Sequence, residues 1–229
     1  MPLFSRHVPY DRKRLLERAT QLESGWRWRR ALALYRQVLA AEPHDPELHA
    51  RIAPLLARSK RTYEARESFR LAQRGFERNE DRKQLEAVHI AATRALPDDA
   101  DIARSRARFE RSQGRPDVAM RNLVAVSDRI ARRRRGEAII LLREANQIES
   151  RHPAVLIRLA RLLLSDGQPG EALFWLDQLE GRVGGSELVR ARRLRMRIDP
   201  TFRNLWLWLG GGRDPGQPRV RRPKIELAS

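Results

Sequence analysis

The chain has 229 residues, a hydrophobic content of 41% and no cysteine, which excludes disulfides and thiol chemistry. Its formal net charge is +18, and only four of its 47 basic residues are lysine. An arginine-biased coding genome explains the ratio of arginine to lysine, but the excess of basic over acidic residues favours an anionic partner. The N-terminus lacks the apolar run of a signal peptide, and no stretch approaches the roughly 20 apolar residues of a membrane span. We therefore expect a cytoplasmic protein.

Turn signals rich in glycine, proline and aspartate divide the chain into segments whose apolar residues recur with helical periodicity. Valine-rich alternating runs are missing, so strands are not expected. After an N-terminal arm at 1–9, a helical region is predicted over 10–200, with a short apolar segment at 201–209 that caps the core. The tail at 210–229 is Gly/Pro-rich and basic, and we expect it to be disordered. The predicted helices are 10–24, 28–41, 46–58, 62–78, 82–96, 100–113, 117–133, 136–150, 154–166, 170–181 and 186–197.

Four pairs of alanines recur along these helices, with 12 residues between the members of each pair. A large residue follows the second alanine of each pair by four positions. Small residues at fixed helical spacing indicate helices that cross closely and repeatedly, as in a solenoid of stacked hairpins. The predicted packing residues are Ala19, Ala31 and Tyr35; Ala53, Ala65 and Phe69; Ala107, Ala119 and Leu123; and Ala160, Ala172 and Leu176.

These residues resemble the tetratricopeptide repeat, a 34-residue helix–turn–helix with small residues at the crossing and a glycine in the turn. The best copy runs from His152 to Gly181, with Gly167 at the turn, and the resemblance covers about 10–181. It implies an all-α superhelical solenoid of about 11 helices. It also implies a scaffold or adaptor that binds other proteins.

The repeat length is irregular. The first alanines of the pairs are 34, 54 and 53 residues apart, so each long step contains one additional helix, at 82–96 and at 136–150. Two interpretations remain open. Either the chain is one hairpin followed by three-helix units, or helices 62–78 and 117–133 each act twice, as second helix of one repeat and first helix of the next.

The resemblance also places a concave groove on the first helix of each repeat. Its positions carry seven arginines, whose guanidinium groups bind carboxylates in a bidentate manner. We therefore expect an acidic peptide or protein segment as the partner. Alternatively, these arginines solvate an exposed helix face, partly paired with Glu47, Asp101 and Glu110. The predicted groove residues are Arg51, Arg58, Arg104, Arg108, Arg111, Arg158 and Arg161.

Nucleic acid is a second candidate partner, because helical repeats can read single-stranded RNA and Trp26 to Arg30 interleaves tryptophan with arginine. The same segment is also explained if Trp28 packs within its hairpin. The four arginines at 132–135 fit either an anion site or a solvated helix end. A third candidate is a membrane-peripheral scaffold held by residues 201–224, where Phe202, Leu205, Trp206 and Leu209 share a helical face.

Catalytic patterns are weak in this sequence. The five histidines are scattered without the spacing of metal ligands, and the three glycines at 210–212 lack the features of a phosphate-binding loop. No pair of carboxylates stands out from the general surface charge. We therefore expect no enzymatic activity, no metal, no cofactor and no small-molecule substrate.

Overall fold

A computed structural model describes residues 10–179, 184–201, 204–205 and 208. The predicted all-α fold is confirmed, since eleven long helices and no strand occur in these ranges. The chain forms two compact units, residues 1–130 and 131–229. The predicted arm at 1–9, most of the apolar segment at 201–209 and the tail at 210–229 lie outside the described residues.

The described part of the first unit, residues 10–130, contains seven helices, and each packs against the next one along the chain. They are α1 (Arg12–Ser24), α2 (Trp28–Ala41), α3 (Pro46–Arg58), α4 (Thr62–Arg78), α5 (Arg82–Ala95), α6 (Ala100–Ser112) and α7 (Pro116–Ile130). The last of them ends three residues earlier than predicted, because the arginine run that follows it forms a turn instead of continuing the helix.

The described part of the second unit contains four long helices. They are α8 (Arg135–Ile148), α9 (Pro153–Ser165), α10 (Pro169–Asp177) and α11 (Gly185–Ile198), with α9 packed against the other three. The shortest, α10, was predicted to extend to residue 181, but residues 178 and 179 already form a turn.

Aspartates fix where several helices begin. The carboxylates of Asp11, Asp45, Asp81 and Asp99 precede α1, α3, α5 and α6, and each accepts a hydrogen bond from a backbone N–H of the first turn. Such caps satisfy N–H groups that have no partner within the helix. Prolines begin α3, α7, α9 and α10, where their missing N–H costs nothing.

Five of the connections share one turn geometry. In each, a residue with left-handed φ is followed by a residue whose N–H donates to the carbonyl five positions earlier, at 2.8 to 3.0 Å. The left-handed residues are Trp26, Lys60, Glu80, Gly114 and Gly167, in the turns that follow α1, α3, α4, α6 and α9. The turn between α4 and α5 is therefore the same hairpin turn that joins α3 to α4.

A second connection type joins α2 to α3 and α5 to α6. In both loops the N–H of the residue after the helix donates to the carbonyl four residues earlier, and the capping aspartate's N–H donates to the carbonyl three residues earlier. Helices α3, α4 and α5 thus lie between two such loops, and α3 also packs against α5. The additional helix α5 therefore follows α4 through the same kind of turn by which α4 follows α3, and α4 packs against both neighbours.

The paired alanines lie inside both units. Ala107 is 3% exposed and the other seven are fully buried. The four large residues that follow them, Tyr35, Phe69, Leu123 and Leu176, are at most 2% exposed. A methyl group at the crossing lets two helix backbones approach closely, and the larger side chain fills the space beside that contact.

Candidate functional site

A cleft of about 1000 Å³ opens between α4, α5 and α6 in the first unit. Its apolar wall consists of Phe76, Leu85 and Phe109, all of them buried. The hairpin turn after α4 contributes to the cleft as well, because Glu80 and Arg82 are among its lining residues. Helix α5 packs against both α4 and α6, so the three helices together line one concave site.

Buried polar side chains form the floor of this cleft. The hydroxyl of Ser105 donates to Oε1 of Gln73 at 3.0 Å, and Nε2 of Gln73 lies 3.3 Å from Nδ1 of His89. The imidazole of His89 is 3% exposed and stacks on Phe109, with ring centroids 4.6 Å apart. These contacts link α4, α5 and α6 and hold the floor in one arrangement.

Burial, as the larger cause, and the positive charges of Arg106 and Arg108 together lower the pKa of His89 to about 4. Both causes disfavour the imidazolium ion. The floor of the cleft is therefore uncharged at neutral pH, and the charge of the site comes from its rim.

Arginines dominate that rim. Arg74, Arg82 and Arg108 are exposed, and their side chains form no hydrogen bond or ion pair within the part of the chain that the structure describes. A fourth, Arg70, pairs with Glu67 on its own helix at 2.5 Å. Glu77 and Glu80 are the acidic residues that line the cleft. The rim thus carries more positive than negative charge, and three of its cations can accept an external anion.

Only one of the seven predicted groove arginines, Arg108, lines this cleft. Arg104 is half-buried and lies 3.9 Å from Asp101, while Arg111 is exposed in the last turn of α6. Arg51 lines a smaller recess of about 320 Å³ between α3 and α5. Different residues of α5 line that recess and the large cleft, so α5 separates Arg51 from Arg108.

The remaining groove predictions lie elsewhere. The guanidinium group of Arg58 stacks over the ring of Trp28, 5.0 Å from its centroid. In the second unit, Arg158 donates to the carbonyl oxygen of Ala154 at 3.0 Å, and Arg161 is exposed on α9. The use of these residues in binding stays a prediction.

Residues 129–193 match the tetratricopeptide repeat family. This part of the chain is similar to tetratricopeptide repeats. The matched stretch contains the copy with Gly167 in its turn, whose resemblance to the family is thereby confirmed. A search of curated proteins found no match.

Several solved structures of repeat proteins are similar to this chain. PilW, a type IV pilus biogenesis factor, is 17% identical, with 87% of this chain and 91% of that one covered and a TM-score of 0.33. PilF of Pseudomonas aeruginosa is 15% identical, with 88% and 93% covered and a TM-score of 0.27. The protein MamA is 13% identical, with 73% and 90% covered and a TM-score of 0.31.

Sequence reasoning missed Arg74, Arg82 and the polar floor. Groove positions were taken only from the first helices of the repeats, whereas α4 and α5 supply most of the cleft. Two signals pointed to it: the hairpin-type turn at residues 79–81, and the polar His89 within the buried periodicity of α5.

Among the described residues, no group of three or more histidines or carboxylates could hold a metal ion. Within the same ranges no helix combines the length and the apolar character that crossing a membrane requires.

The buried His89 predicts a pH-dependent stability. Its folded pKa, about 4, lies below the unfolded value of 6.5, so between these values the unfolded chain binds a proton that the folded chain does not. The stability that this difference in pKa contributes is fully present above pH 6.5 and is lost as the pH falls towards 4. The loss reaches about 2 kcal/mol at pH 5. In urea unfolding, the wild type should lose about 2 kcal/mol more stability between pH 7 and pH 5 than His89→Gln does. Equal losses would contradict this assignment, and the exposed His44→Gln controls for removal of a histidine.

Proposed function

We propose that this chain is a non-catalytic adaptor whose cleft between α4, α5 and α6 binds an acidic peptide or an acidic segment of another protein. The observation that carries the proposal is the set of three rim arginines, Arg74, Arg82 and Arg108, without a partner among the described residues. The similarity of residues 129–193 to tetratricopeptide repeats supports a scaffold role.

The chemistry of the rim suits carboxylates. A guanidinium group presents a planar fork of N–H donors, is weakly hydrated, and binds a carboxylate through two parallel hydrogen bonds. The three arginines come from three different helices, so a bound segment contacts α4, α5 and α6 together. Packing fixes the backbones of these helices, which limits the entropy lost on binding.

The two acidic residues of the cleft give the site a direction. Glu77 lies in the last turn of α4 and Glu80 in the turn that follows it, and both line the cleft. Like charges placed together oppose association. We expect the acidic residues of the partner to contact the rim arginines, with a neutral or basic residue next to Glu77 and Glu80.

A labelled peptide tests this proposal. We expect the full-length protein to bind a fluorescein-labelled, glutamate-rich decapeptide, and not its glutamine counterpart, in a fluorescence polarisation titration. Reversing all three charges in R74E/R82E/R108E should weaken binding about 100-fold, since each charged contact is worth about 1 kcal/mol.

The control is R132E/R190E/R193E, which makes the same change in net charge at three exposed arginines that do not line the cleft. It should retain affinity within about threefold if the rim arginines, and not net charge, hold the peptide. Equal weakening in the two variants, with both helical by circular dichroism, would overturn the proposal.

A further inference from the structure

A tryptophan stands at a backbone position that favours glycine. Trp26 has φ of 60° in the turn between α1 and α2, and the turns that follow α6 and α9 use Gly114 and Gly167 at the equivalent position. Left-handed backbone is unfavourable for residues with a Cβ atom. The indole is nevertheless 76% exposed, so it adds little to the core. Burial in the core is therefore not the reason for a tryptophan here.

Trp26 lies at one edge of the first unit, where the turn after α1 is close to the turn after α3. Its ring lies 5.5 Å from that of Trp28, whose other neighbour is the guanidinium group of Arg58 at the end of α3. A recess of about 330 Å³ lies between α2 and the turn after α3, lined by residues that include Arg29, Ser59 and Arg61. Both turns therefore contribute to one surface.

The charge of this surface is strongly positive. Arg27, Arg29, Arg30 and Lys60 are exposed, and their side chains form no ion pair with any residue that the structure describes. Arg61 and Arg36 share Glu64, at 2.6 and 2.9 Å. Glu64 is thus already paired, Glu23 accepts a hydrogen bond from the Tyr35 hydroxyl, and four cations are left for an external anion.

We infer that this edge binds single-stranded nucleic acid. A base can stack on the exposed indole of Trp26 while phosphates contact the arginines and Lys60, which is how such strands are held without sequence preference. Tyr63, 70% exposed and two residues after Arg61, offers a second ring beside the same turn.

The exposed side chains favour nucleic acid over the other anionic partners. In the described part of the first unit, the large exposed hydrophobic residues are Tyr10, Trp26 and Tyr63, which are all aromatic. A membrane-docking surface would also present aliphatic side chains to the acyl region. The carboxylates of an acidic peptide would pair with the cations but would not stack on the exposed indole, whereas every nucleotide carries both a phosphate and a base. Binding here is independent of the cleft between α4 and α6.

The test uses the full-length protein and a fluorescein-labelled 20-nucleotide oligo(dT) in fluorescence anisotropy. Trp26→Gly should weaken binding about 10- to 100-fold, because a stacking contact is lost. The same substitution should raise the Tm by about 2 to 4 °C, because glycine accepts the left-handed backbone. Trp26→Phe, which retains a ring, should stay within about threefold of the wild type. Log affinity should fall with log salt at a slope of about −3 for four phosphate contacts.

Arg151→Gly is the matched control, since Arg151 is exposed, has φ of 66° and lies outside the patch. It should raise the Tm without changing oligonucleotide affinity by more than about twofold, since one remote charge contributes little. Unchanged oligonucleotide binding by Trp26→Gly would overturn the inference. So would binding of phosphatidylserine vesicles that depends on Trp26 while oligo(dT) does not bind, because the edge would then be a membrane contact.

Discussion

Glu110→Gln is expected to lower the free energy of unfolding by about 3 kcal/mol, because it removes the charge from a buried ion-pair network. Glu110 is 2% exposed. Its Oε1 lies 3.0 Å from Nη2 of Arg106, and its Oε2 lies 2.9 Å from Nε of Arg115. Arg115 also lies 3.4 Å from Glu86, so the network connects α5 and α6 to the turn before α7. Chemical denaturation at neutral pH measures the loss.

Partial solvation of the two arginines sets the size of this effect. Arg106 and Arg115 are 20% and 43% exposed, so water offsets part of the charge that the substitution leaves unpaired. Asp117→Asn is the control, because its pair with Arg121 at 2.8 Å is more than half exposed on both sides. Asp117→Asn should lower the free energy of unfolding by less than about 0.5 kcal/mol. Equal losses in the two variants would contradict the structural role of Glu110.

Gly75→Ala is expected to destabilise the protein by about 3 kcal/mol, although alanine is the better helix former. Gly75 is buried in α4, and a Cβ atom there would lie 2.5 Å from Cβ and 3.0 Å from Cγ of Pro46. That ring begins α3 and cannot rotate away, so the two helices must move apart. Thermal and urea unfolding of the two proteins report the change.

Gly136→Ala serves as the control for this substitution. Gly136 lies in the first turn of α8, and a Cβ atom there would meet nothing within 4 Å. The same substitution should therefore leave stability unchanged or raise it by up to about 1 kcal/mol. A stabilised Gly75→Ala protein would show that α3 and α4 do not approach as closely as described.

The fold was predictable because its signals are local. Asp45 and Asp99 cap helices, Pro46 and Pro153 begin helices, and Gly114 and Gly167 take the left-handed turn positions, so the helix boundaries were placed within a few residues. Each of these residues acts on backbone only a few positions away. The interpretation of α5 stayed open at that level, because both interpretations give the same helices and differ only in which helices pack together.

The candidate site was less predictable because it depends on packing between distant segments. Arg74 and Arg82 resemble ordinary surface charge until the turn at Glu80 brings α5 against α4. Gln73 and His89 are 16 residues apart, and Ser105 is 32 residues from Gln73. Helical periodicity shows that these residues are buried, but it does not show that their side chains meet.

Arginine side-chain NMR is the most direct test of the proposal that the cleft binds acidic segments. The Nε–H resonances of Arg74, Arg82 and Arg108, assigned with single arginine-to-lysine variants, would be followed during titration with the glutamate-rich decapeptide. The proposal predicts that all three shift together and saturate with one Kd, while those of Arg132 and Arg133 change little. Shifts spread evenly over the exposed arginines, or changes that never saturate, would contradict a defined site.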